Sequence, residues 1–246
     1  MNLDNELIRP VSVTFYDRFL GKLFATLIAF VARLHSPQVT LKFLLRLDTE
    51  LYKFQSQSAI DYGNGIHPKH RLMKYHDFFV KRISATDRIL DIGCGNGAVA
   101  YDLAQVCKKV VGMDISEKNI RSALAHYQHP NLEFRVGDAL KEFSQDACDV
   151  IVLSNVLEHL PGRPAFLRRL QKTLSPRLIL IRVPVFERDW RIPLKKELGL
   201  EWRLDDTHEI EFTLETFASE MHEAGLLIRH LEVRWGEIWA EVASAE

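Results

Sequence analysis

Three glycines at alternate positions, Gly93, Gly95 and Gly97, follow a short apolar run that contains one acid, Asp91. An apolar run followed by such glycines and then by small residues predicts a buried strand, a tight turn and the start of a helix. Because glycine lacks a β-carbon, the turn can adopt positive φ angles and lie against a ligand. Amide groups at the start of the helix would face the same ligand. This stretch therefore predicts a ligand-binding loop in an α/β protein.

The spacing of the glycines separates two classes of cofactor. A dinucleotide fingerprint reads Gly-x-Gly-x-x-Gly and places a pyrophosphate at the helix N-terminus, whereas this chain has Gly-x-Gly-x-Gly two residues after Asp91. A carboxylate beside the turn would repel a pyrophosphate and would suit a ligand that carries an ammonium group. The stretch resembles motif I of the class I S-adenosylmethionine (SAM)-dependent methyltransferases, in which this acid and these glycines hold the methionine end of SAM. A glycine turn without a ligand is the alternative.

Length and charge fit one α/β catalytic domain with an extension. A chain of 246 residues with 47% hydrophobic content can form one large core. The net charge of -1 argues against a general nucleic-acid binder. Residues 1–88 carry 13 basic and 8 acidic side chains, and the remainder carries 19 and 25. The cysteines Cys94, Cys107 and Cys148 show no paired or metal-ligand spacing, which predicts a cytoplasmic protein.

The N-terminal part predicts helices outside the cofactor motif. Apolar residues recur at helical spacing over residues 15–34 and 39–58, and a third helix is expected over 69–83. The longest apolar run, residues 23–32, is about half of the ~20 residues that a membrane span needs. Two interpretations remain open: the first two helices pack over the catalytic domain, or they contact an anionic membrane surface or a lipid-linked substrate. The second would place the protein at the inner face of the membrane.

Strands and helices alternate from Arg88 onward, which predicts a parallel sheet covered on both faces. We expect an α/β, doubly wound, Rossmann-like sheet of seven strands, mostly parallel with an antiparallel last strand, plus an N-terminal helical extension. The predicted domains are this extension or cap at residues 1–84 and a SAM-binding domain at 85–246. A lid-like insertion rich in arginine and lysine is expected at residues 184–211.

Acids at the ends of the next strands predict the rest of the cofactor site. Asp114 ends the second predicted strand, where doubly wound folds bind the hydroxyl groups of a ribose. The resemblance extends to Asp138 and Ala139 after the third strand, where the acid accepts from the adenine amine and the next residue offers its amide. It also implies that the segment after the fourth strand adjoins the methyl donor. The implied cofactor-binding residues are Asp91, Gly93, Cys94, Gly95, Gly97, Asp114, Ile115, Asp138, Ala139 and Asn155.

Methyl transfer from a sulfonium is an in-line displacement that depends mainly on alignment and on exclusion of water. A hydroxyl acceptor benefits from a general base, and histidine suits that role. Asn155, Glu158 and His159 would share one face if the segment after the fourth strand is helical. The segment is similar to the Glu-x-x-Glu-His stretch of ubiquinone-pathway O-methyltransferases and small-RNA 3′-end methyltransferases, where the acids and the histidine can bind a divalent metal. Here Asn155 replaces the first acid.

A second resemblance concerns His208. Residues 207–212 are akin to the Thr-His stretch before the penultimate helix of many small-molecule methyltransferases, which makes His208 a candidate base or further ligand. The catalytic candidates are therefore Glu158, His159 and His208, which are also the candidate metal ligands. A packing or capping role for the histidines is the alternative, and the metal remains open.

These patterns together predict a SAM-dependent methyltransferase that acts on oxygen of a small-molecule, glycan or lipid-linked acceptor. SAM is the predicted cofactor, and no nucleic-acid partner is expected. One alternative is an inactive methyltransferase-like module that binds or interacts without catalysis. A second is an NAD-dependent oxidoreductase, which shares the fold but needs a different glycine spacing. The sequence leaves the acceptor and the oligomeric state open.

Overall fold

The computed structural model of the chain describes residues 15–141 and 148–245. The chain divides into two compact units, Met1–Lys53 and Phe54–Glu246. The sequence predicted a domain boundary between residues 84 and 85, which is C-terminal to the division between these two units. That boundary stays a prediction. Residues 1–14 of the predicted extension lie outside the described ranges.

Long helices come first in the described chain, and shorter helices follow the strands. They are α1 (Phe15–Leu34), α2 (Pro37–Tyr62), α3 (Lys69–Met73), α4 (Tyr75–Val80), α5 (Ala98–Ala104), α6 (Glu117–His126), α7 (Arg163–Leu174), α8 (Arg191–Glu197) and α9 (Leu214–Glu223), with 3₁₀ turns at Leu157–His159 and Phe186–Arg188. The helix predicted over residues 15–34 is confirmed as α1.

The single helix expected over residues 69–83 is instead two short helices, so that prediction is wrong. Lys74 adopts a left-handed conformation with a φ of 50°, and its N–H donates to the carbonyl of His70, which ends α3. The chain then starts α4, which buries Tyr75 and Phe79. Burial of these aromatic rings offsets the ~1–2 kcal/mol cost of one left-handed residue.

Seven strands form one mixed sheet within the described residues. They are β1 (Arg88–Ile92), β2 (Lys109–Asp114), β3 (Leu132–Val136), β4 (Val150–Ser154), β5 (Leu178–Pro184), β6 (Leu226–Arg234) and β7 (Glu237–Ser244), in the order β3-β2-β1-β4-β5-β7-β6. Strand β7 runs antiparallel to both of its neighbours, and the other described pairings are parallel. The predicted doubly wound sheet with an antiparallel last strand is confirmed.

Strands β1, β4 and β5 are buried over almost their whole length because helices cover both faces of the sheet. Leu167 and Phe217, from α7 and α9, lie in the core of one face, and Phe79 and Leu103, from α4 and α5, lie in the core of the other. The strand order reverses between β1 and β4. Doubly wound sheets open a crevice at the carboxyl ends of the strands at such a point. The glycine turn after β1 and the segment after β4 both lie there.

The predicted insertion at residues 184–211 contains a 3₁₀ turn and α8. Its two ends are joined, because Phe186 N donates to Phe212 O at 2.7 Å and Arg188 pairs with Glu211. The β6–β7 hairpin turns at Trp235 and Gly236.

The N-terminal unit exposes apolar side chains along α1. Seven of its large apolar residues are each more than 40% exposed; they are Phe19, Leu20, Leu23, Phe24, Leu27, Phe30 and Leu34. The described residues 15–53 carry six basic and three acidic side chains. None of the described helices is long and apolar enough to cross a membrane.

Candidate functional site

The glycine turn after β1 takes a left-handed course. Gly93, Gly95 and Gly97 have φ angles of 69°, 55° and 85°. A β-carbon at Gly93 would stand 2.5 Å from Val156 Cγ2, and one at Gly97 would stand 2.5 Å from Phe134 Cζ. No described atom lies within 4 Å of the same position at Gly95, which lines a cavity. Packing therefore requires two of the glycines, whereas the third leaves the turn open toward the crevice.

Two carboxyl groups flank this turn, and they differ in their hydrogen bonds. Asp91 lies in the buried part of β1, is 1% exposed, and has no hydrogen-bond partner for Oδ2 among the described residues. Burial, and then the charge of Asp114, raise the pKa of Asp91 to about 8. Asp114 Oδ2 accepts from Gly95 N at 2.9 Å, and its Oδ1 accepts from Ser116 N at 2.8 Å and Asn119 Nδ2 at 3.2 Å. Asp114 thus ties the turn to β2, while Asp91 keeps an unsatisfied acceptor.

Ile115, Asp138 and Ala139 follow the paired strands β2 and β3, so they lie at the same edge of the sheet. Ile115 is 71% exposed, and Ala139 packs partly buried against the core. Asp138 Oδ1 accepts from Leu140 N at 2.9 Å, and Oδ2 lies 3.1 Å from Lys141 Nζ. These two interactions hold the pKa of Asp138 below its ordinary value. The arrangement offers an apolar surface beside an ionised carboxylate.

A cavity of about 150 Å³ opens between the glycine turn and β5. Its lining includes Asp91, Cys94, Ser154, Arg182 and Tyr75, which come from four different parts of the chain. The thiol of Cys94 is buried, and burial raises its pKa, so it forms a neutral wall. The cavity therefore presents one carboxylate and one guanidinium on an otherwise neutral surface.

Asn155 is held by Arg182. Its backbone N donates to Arg182 O at 2.7 Å, and its side-chain Oδ1 accepts from Arg182 Nε at 3.3 Å. Asn155 has a φ of 56°, and helical structure begins only with the 3₁₀ turn at Leu157–His159. The helix that would place Asn155, Glu158 and His159 on one face therefore does not form. Pairing of β4 with β5 extends to this point and keeps Asn155 beside the sheet.

Glu158, His159 and His208 converge in the folded chain, and one ligand atom of each lies within 4.8 Å of the other two. Glu158 is fully buried, and no described residue forms a hydrogen bond to either of its carboxylate oxygens. Burial raises the pKa of Glu158 to about 8. The two imidazole rings have centroids 4.5 Å apart. Glu209 N donates to Glu158 O at 2.7 Å, which holds the loop of His208 against the 3₁₀ turn.

The partners of the two histidines determine which ring nitrogen carries the proton. His159 Nδ1 lies 2.9 Å from Thr207 Oγ1, whose own proton is donated to Asp205 Oδ1 at 2.7 Å. His208 Nδ1 lies 3.0 Å from Glu211 Oε1, and an ionised carboxylate only accepts. Both Nδ1 atoms therefore donate, and both Nε2 atoms keep a lone pair for a metal or a proton. Burial, and then the neighbouring His208, lower the pKa of His159, which favours the neutral ring.

Several residues of the site have no role in the sequence analysis. Arg182 is the only charged residue in the apolar strand β5, and a lone arginine in such a run is a signal that it is paired or functional. Thr207 and Glu211 orient the two histidines, and Asn119 supports Asp114. These contacts join distant parts of the chain or depend on a loop conformation, so spacing alone does not reveal them.

Comparison with known proteins adds a family and several relatives. The methyltransferase domain family model matches residues 54–231. The chain is 29% identical over 128 residues to a ubiquinone biosynthesis O-methyltransferase of Bradyrhizobium diazoefficiens, covering 50% of either chain. It is 33% identical over 121 residues to another from Caulobacter sp. (strain K31), covering 48% of either chain. The chain thus spans about half the length of these relatives.

A solved structure is similar in fold. It is the magnesium protoporphyrin IX methyltransferase of Synechocystis PCC 6803 with bound SAH, at a TM-score of 0.56 and 19% identity. The match covers 77% of this chain and 87% of the solved chain. At this level of identity the likeness shows a shared fold.

Proposed function

Because the chain belongs to the methyltransferase domain family, we propose that it transfers a methyl group from SAM to an oxygen atom of a small-molecule acceptor. The observation that carries this proposal is the unpaired, buried Oδ2 of Asp91 beside a glycine turn that is open at Gly95. A buried carboxylate without a partner is costly unless a cation meets it. The ammonium group of an amino-acid ligand supplies that cation, so these residues fit SAM.

Most of the predicted cofactor residues bind a particular part of SAM in this proposal; Cys94 and Asn155 receive no direct contact with it. Asp91 and the glycine turn hold the methionine end, and Asp114 accepts from the ribose hydroxyl groups while it keeps Gly95 in place. Ile115 offers its exposed side chain to the adenine ring. Asp138 accepts from the adenine amine, and the Ala139 amide donates to the ring. The ionised state of Asp138 suits an acceptor role.

Glu158, His159 and His208 fit a divalent cation, because both oxygens of buried Glu158 await a partner among the described residues and both Nε2 atoms carry lone pairs. Thr207 and Glu211 would act as the outer partners that orient ligating histidines. A cation held there would lower the pKa of an acceptor hydroxyl. The set has one charged acid, since Asn155 is committed to Arg182.

The acceptor chemistry follows from the same residues. SAM supplies a methyl group on a sulfonium, a good leaving group, so the protein must mainly align the acceptor oxygen and exclude water. When no cation occupies this set, His159 Nε2 or His208 Nε2 would take the hydroxyl proton, since both rings hold their own proton on Nδ1. The two relatives compared above are named O-methyltransferases of ubiquinone biosynthesis. We therefore place a phenol-like hydroxyl first among acceptors, ahead of glycan and lipid-linked hydroxyls.

Calorimetry with SAM and with NAD tests the cofactor, and transfer of labelled methyl groups from SAM tests the acceptor. We expect SAM to bind, NAD not to bind, and label to appear on a phenol-like small molecule. Binding of NAD without SAM would contradict the proposal. Binding of SAM without transfer to phenols, sugars or lipid-linked acceptors would indicate an interaction module instead.

We further propose that the N-terminal unit contacts an anionic membrane surface from the cytoplasmic side. Its support is the row of exposed apolar side chains on α1, including Leu23 and Leu27, in a segment with an excess of basic residues. Sedimentation with anionic vesicles measures this contact.

A further inference from the structure

Arg182 lines the same cavity as Asp91 and has one guanidinium nitrogen without a hydrogen-bond partner among the described residues. It lies on β5 and is 4% exposed, and its Nη1 has no hydrogen-bond partner among the described residues. Asp91 Oδ2 is likewise buried and unpartnered. The two side chains that carry these atoms thus line one cavity of about 150 Å³. Buried polar atoms in folded proteins are normally satisfied, so this pair points to a ligand.

The guanidinium of Arg182 is held in place by three neighbours. Its Nε lies 3.3 Å from Asn155 Oδ1 and 3.4 Å from Glu237 Oε2, and Glu237 also accepts from Trp239 Nε1 at 3.1 Å. One face of the guanidinium stacks on Tyr75, with Cζ 3.7 Å from the ring centroid. The Nε atom and one face are therefore occupied, whereas Nη1 keeps its hydrogens without an acceptor among the described residues.

A chain of side chains positions Tyr75 above Arg182. The Tyr75 hydroxyl lies 2.9 Å from His70 Nδ1, and His70 Nδ1 also lies 3.1 Å from His76 Nε2. The other ring nitrogen of that histidine, His76 Nδ1, lies 2.6 Å from Asp102 Oδ2. Asp102 belongs to α5, the helix that follows the glycine turn. These contacts connect Tyr75, which stacks on Arg182, to the helix that follows the glycine turn. The cavity is preorganised before any ligand enters.

We propose that Arg182 binds the carboxylate of the amino-acid end of SAM through Nη1 while Asp91 binds the ammonium group. This assignment rests on the proposed function and adds a residue that the glycine motif does not contain. An α-amino acid carries one ammonium and one carboxylate on the same carbon, so it matches the two unpaired atoms in number and in sign. The carboxylate of Glu237 lies 3.4 Å from Arg182 Nε and limits the cost of burying the charge of the arginine.

The experiment compares two ligands by calorimetry: SAH, and S-adenosyl-3-thiopropylamine, which is SAH without its carboxylate. The wild-type protein should bind SAH about 10–100-fold more tightly, as expected for one hydrogen-bonded charge. In Arg182→Met the affinity for SAH should fall to that for the analogue, and the affinity for the analogue should stay the same. Arg229→Met, an exposed arginine on β6, is the matched control and should keep the preference for SAH.

Arg182→Met leaves Glu237 without its cationic partner. The double variant Arg182→Met/Glu237→Gln therefore provides a second protein, in which the charge of Glu237 is removed as well. It should also bind both ligands equally. Both variants should melt cooperatively. If either of them still binds SAH more tightly than the analogue, the assignment is wrong. It is also wrong if the affinities for both ligands fall by the same factor. If the wild-type protein binds neither ligand, the proposed function is wrong as well. This result differs from a failure of the Arg182 assignment alone, in which the wild-type protein still binds SAH.

Discussion

At the residue scale, the unsatisfied polar atoms of this protein mark its site. Seven buried side-chain atoms lack a hydrogen-bond partner among the described residues, and four of them belong to Asp91, Glu158 and Arg182. Each such atom costs about 1–3 kcal/mol, more when charged. A ligand that forms hydrogen bonds to these charged side chains would explain why they lack partners in the protein. The proposals for the cofactor and the metal therefore rest on these three residues.

Asp91→Asn should weaken SAM binding and stabilise the ligand-free protein at high pH. The pKa of Asp91 is raised to about 8 in the folded chain and lies near 3.9 in an unfolded one. The stability that this raised pKa contributes is present below about pH 4 and is lost as the pH rises toward 8, because the unfolded state gives up its proton first. The variant avoids that loss, so its Tm relative to wild type should increase from pH 5 to pH 8.

Thermal melts at both pH values and SAM calorimetry check this prediction. We expect at least a tenfold loss of affinity, the size of one charge-assisted hydrogen bond. A difference in Tm that does not change with pH would contradict the titration argument. Full retention of SAM affinity would contradict the placement of the ammonium group.

Glu158→Gln should abolish tight binding of Mn²⁺, because it removes the charged member of the three-donor set. Loss of outer partners of metal ligands typically costs about 10–100-fold in affinity, so loss of this ligand should cost about 100-fold or more. Glu209→Gln, at an exposed glutamate beside His208, is the matched control. Calorimetry with Mn²⁺ after treatment with a chelator provides the measurement, and equal affinities in the two variants would remove the metal from the site.

At the element scale, the strand–turn–helix unit from β1 to α5 separates packing from ligand binding. Gly93 and Gly97 face protein atoms at 2.5 Å, from Val156 and Phe134, whereas Gly95 faces open space. The turn is therefore fixed on its inner side by β3 and the segment after β4. Its outer side, where Gly95 N donates to Asp114, remains available to a ligand.

Gly95→Ala and Gly225→Ala should cost similar stability but differ in SAM binding. Both glycines have positive φ, 55° and 73°, and open space where a β-carbon would be placed. Each variant should lose about 1 kcal/mol, or about 2–4 °C in Tm. Only Gly95→Ala should lose SAM affinity, because its methyl group would enter the cavity. Melting and calorimetry check both, and equal SAM affinities would place the ligand elsewhere.

Gly97→Ala should be the most destabilising change in the turn. Its β-carbon would lie 2.5 Å from Phe134 Cζ and 2.9 Å from Ala123 Cβ. Relief of this overlap requires shifts in α6 and β3, and overpacking of a core costs about 1–3 kcal/mol in addition to the backbone strain. Urea unfolding measures the difference, and a loss no larger than that of Gly225→Ala would contradict this view of the packing.

At the scale of the whole molecule, the chain combines a catalytic fold with an N-terminal unit of a different kind. The family match begins at residue 54, where the second compact unit also begins. The first unit exposes apolar side chains that a buried core would normally cover. A membrane surface is the occupant that we propose for them.

The double variant Leu23→Glu/Leu27→Glu should lose sedimentation with vesicles of phosphatidylcholine and phosphatidylglycerol by about tenfold or more. Each leucine that leaves an apolar environment costs about 1.5–3 kcal/mol. Thr26→Glu, an exposed polar position on the same helix, is the control and should sediment nearly as well as wild type. Unchanged SAM affinity in the double variant would separate membrane contact from folding. Equal sedimentation of both variants would contradict the proposal.

The sequence alone was sufficient for the fold class, the order of strands and helices, and the family. Local patterns carry these features, because the glycine spacing, the acid at the end of β2 and the alternation of apolar runs are properties of neighbouring residues. They did not reveal that Lys74 breaks a helix, since only burial of Tyr75 and Phe79 in the core makes that break favourable.

Tertiary structure decided which side chains of the site meet. Glu158 and His208 are 50 positions apart, and the backbone bond from Glu209 to Glu158 brings them together. Sheet pairing of β4 with β5 turned Asn155 toward Arg182. Long-range contacts of this kind depend on packing and on burial of charge, which residue spacing does not encode. The sequence alone predicted the glycine turn, whereas only the tertiary structure showed that Arg182 on β5 lines the same cavity.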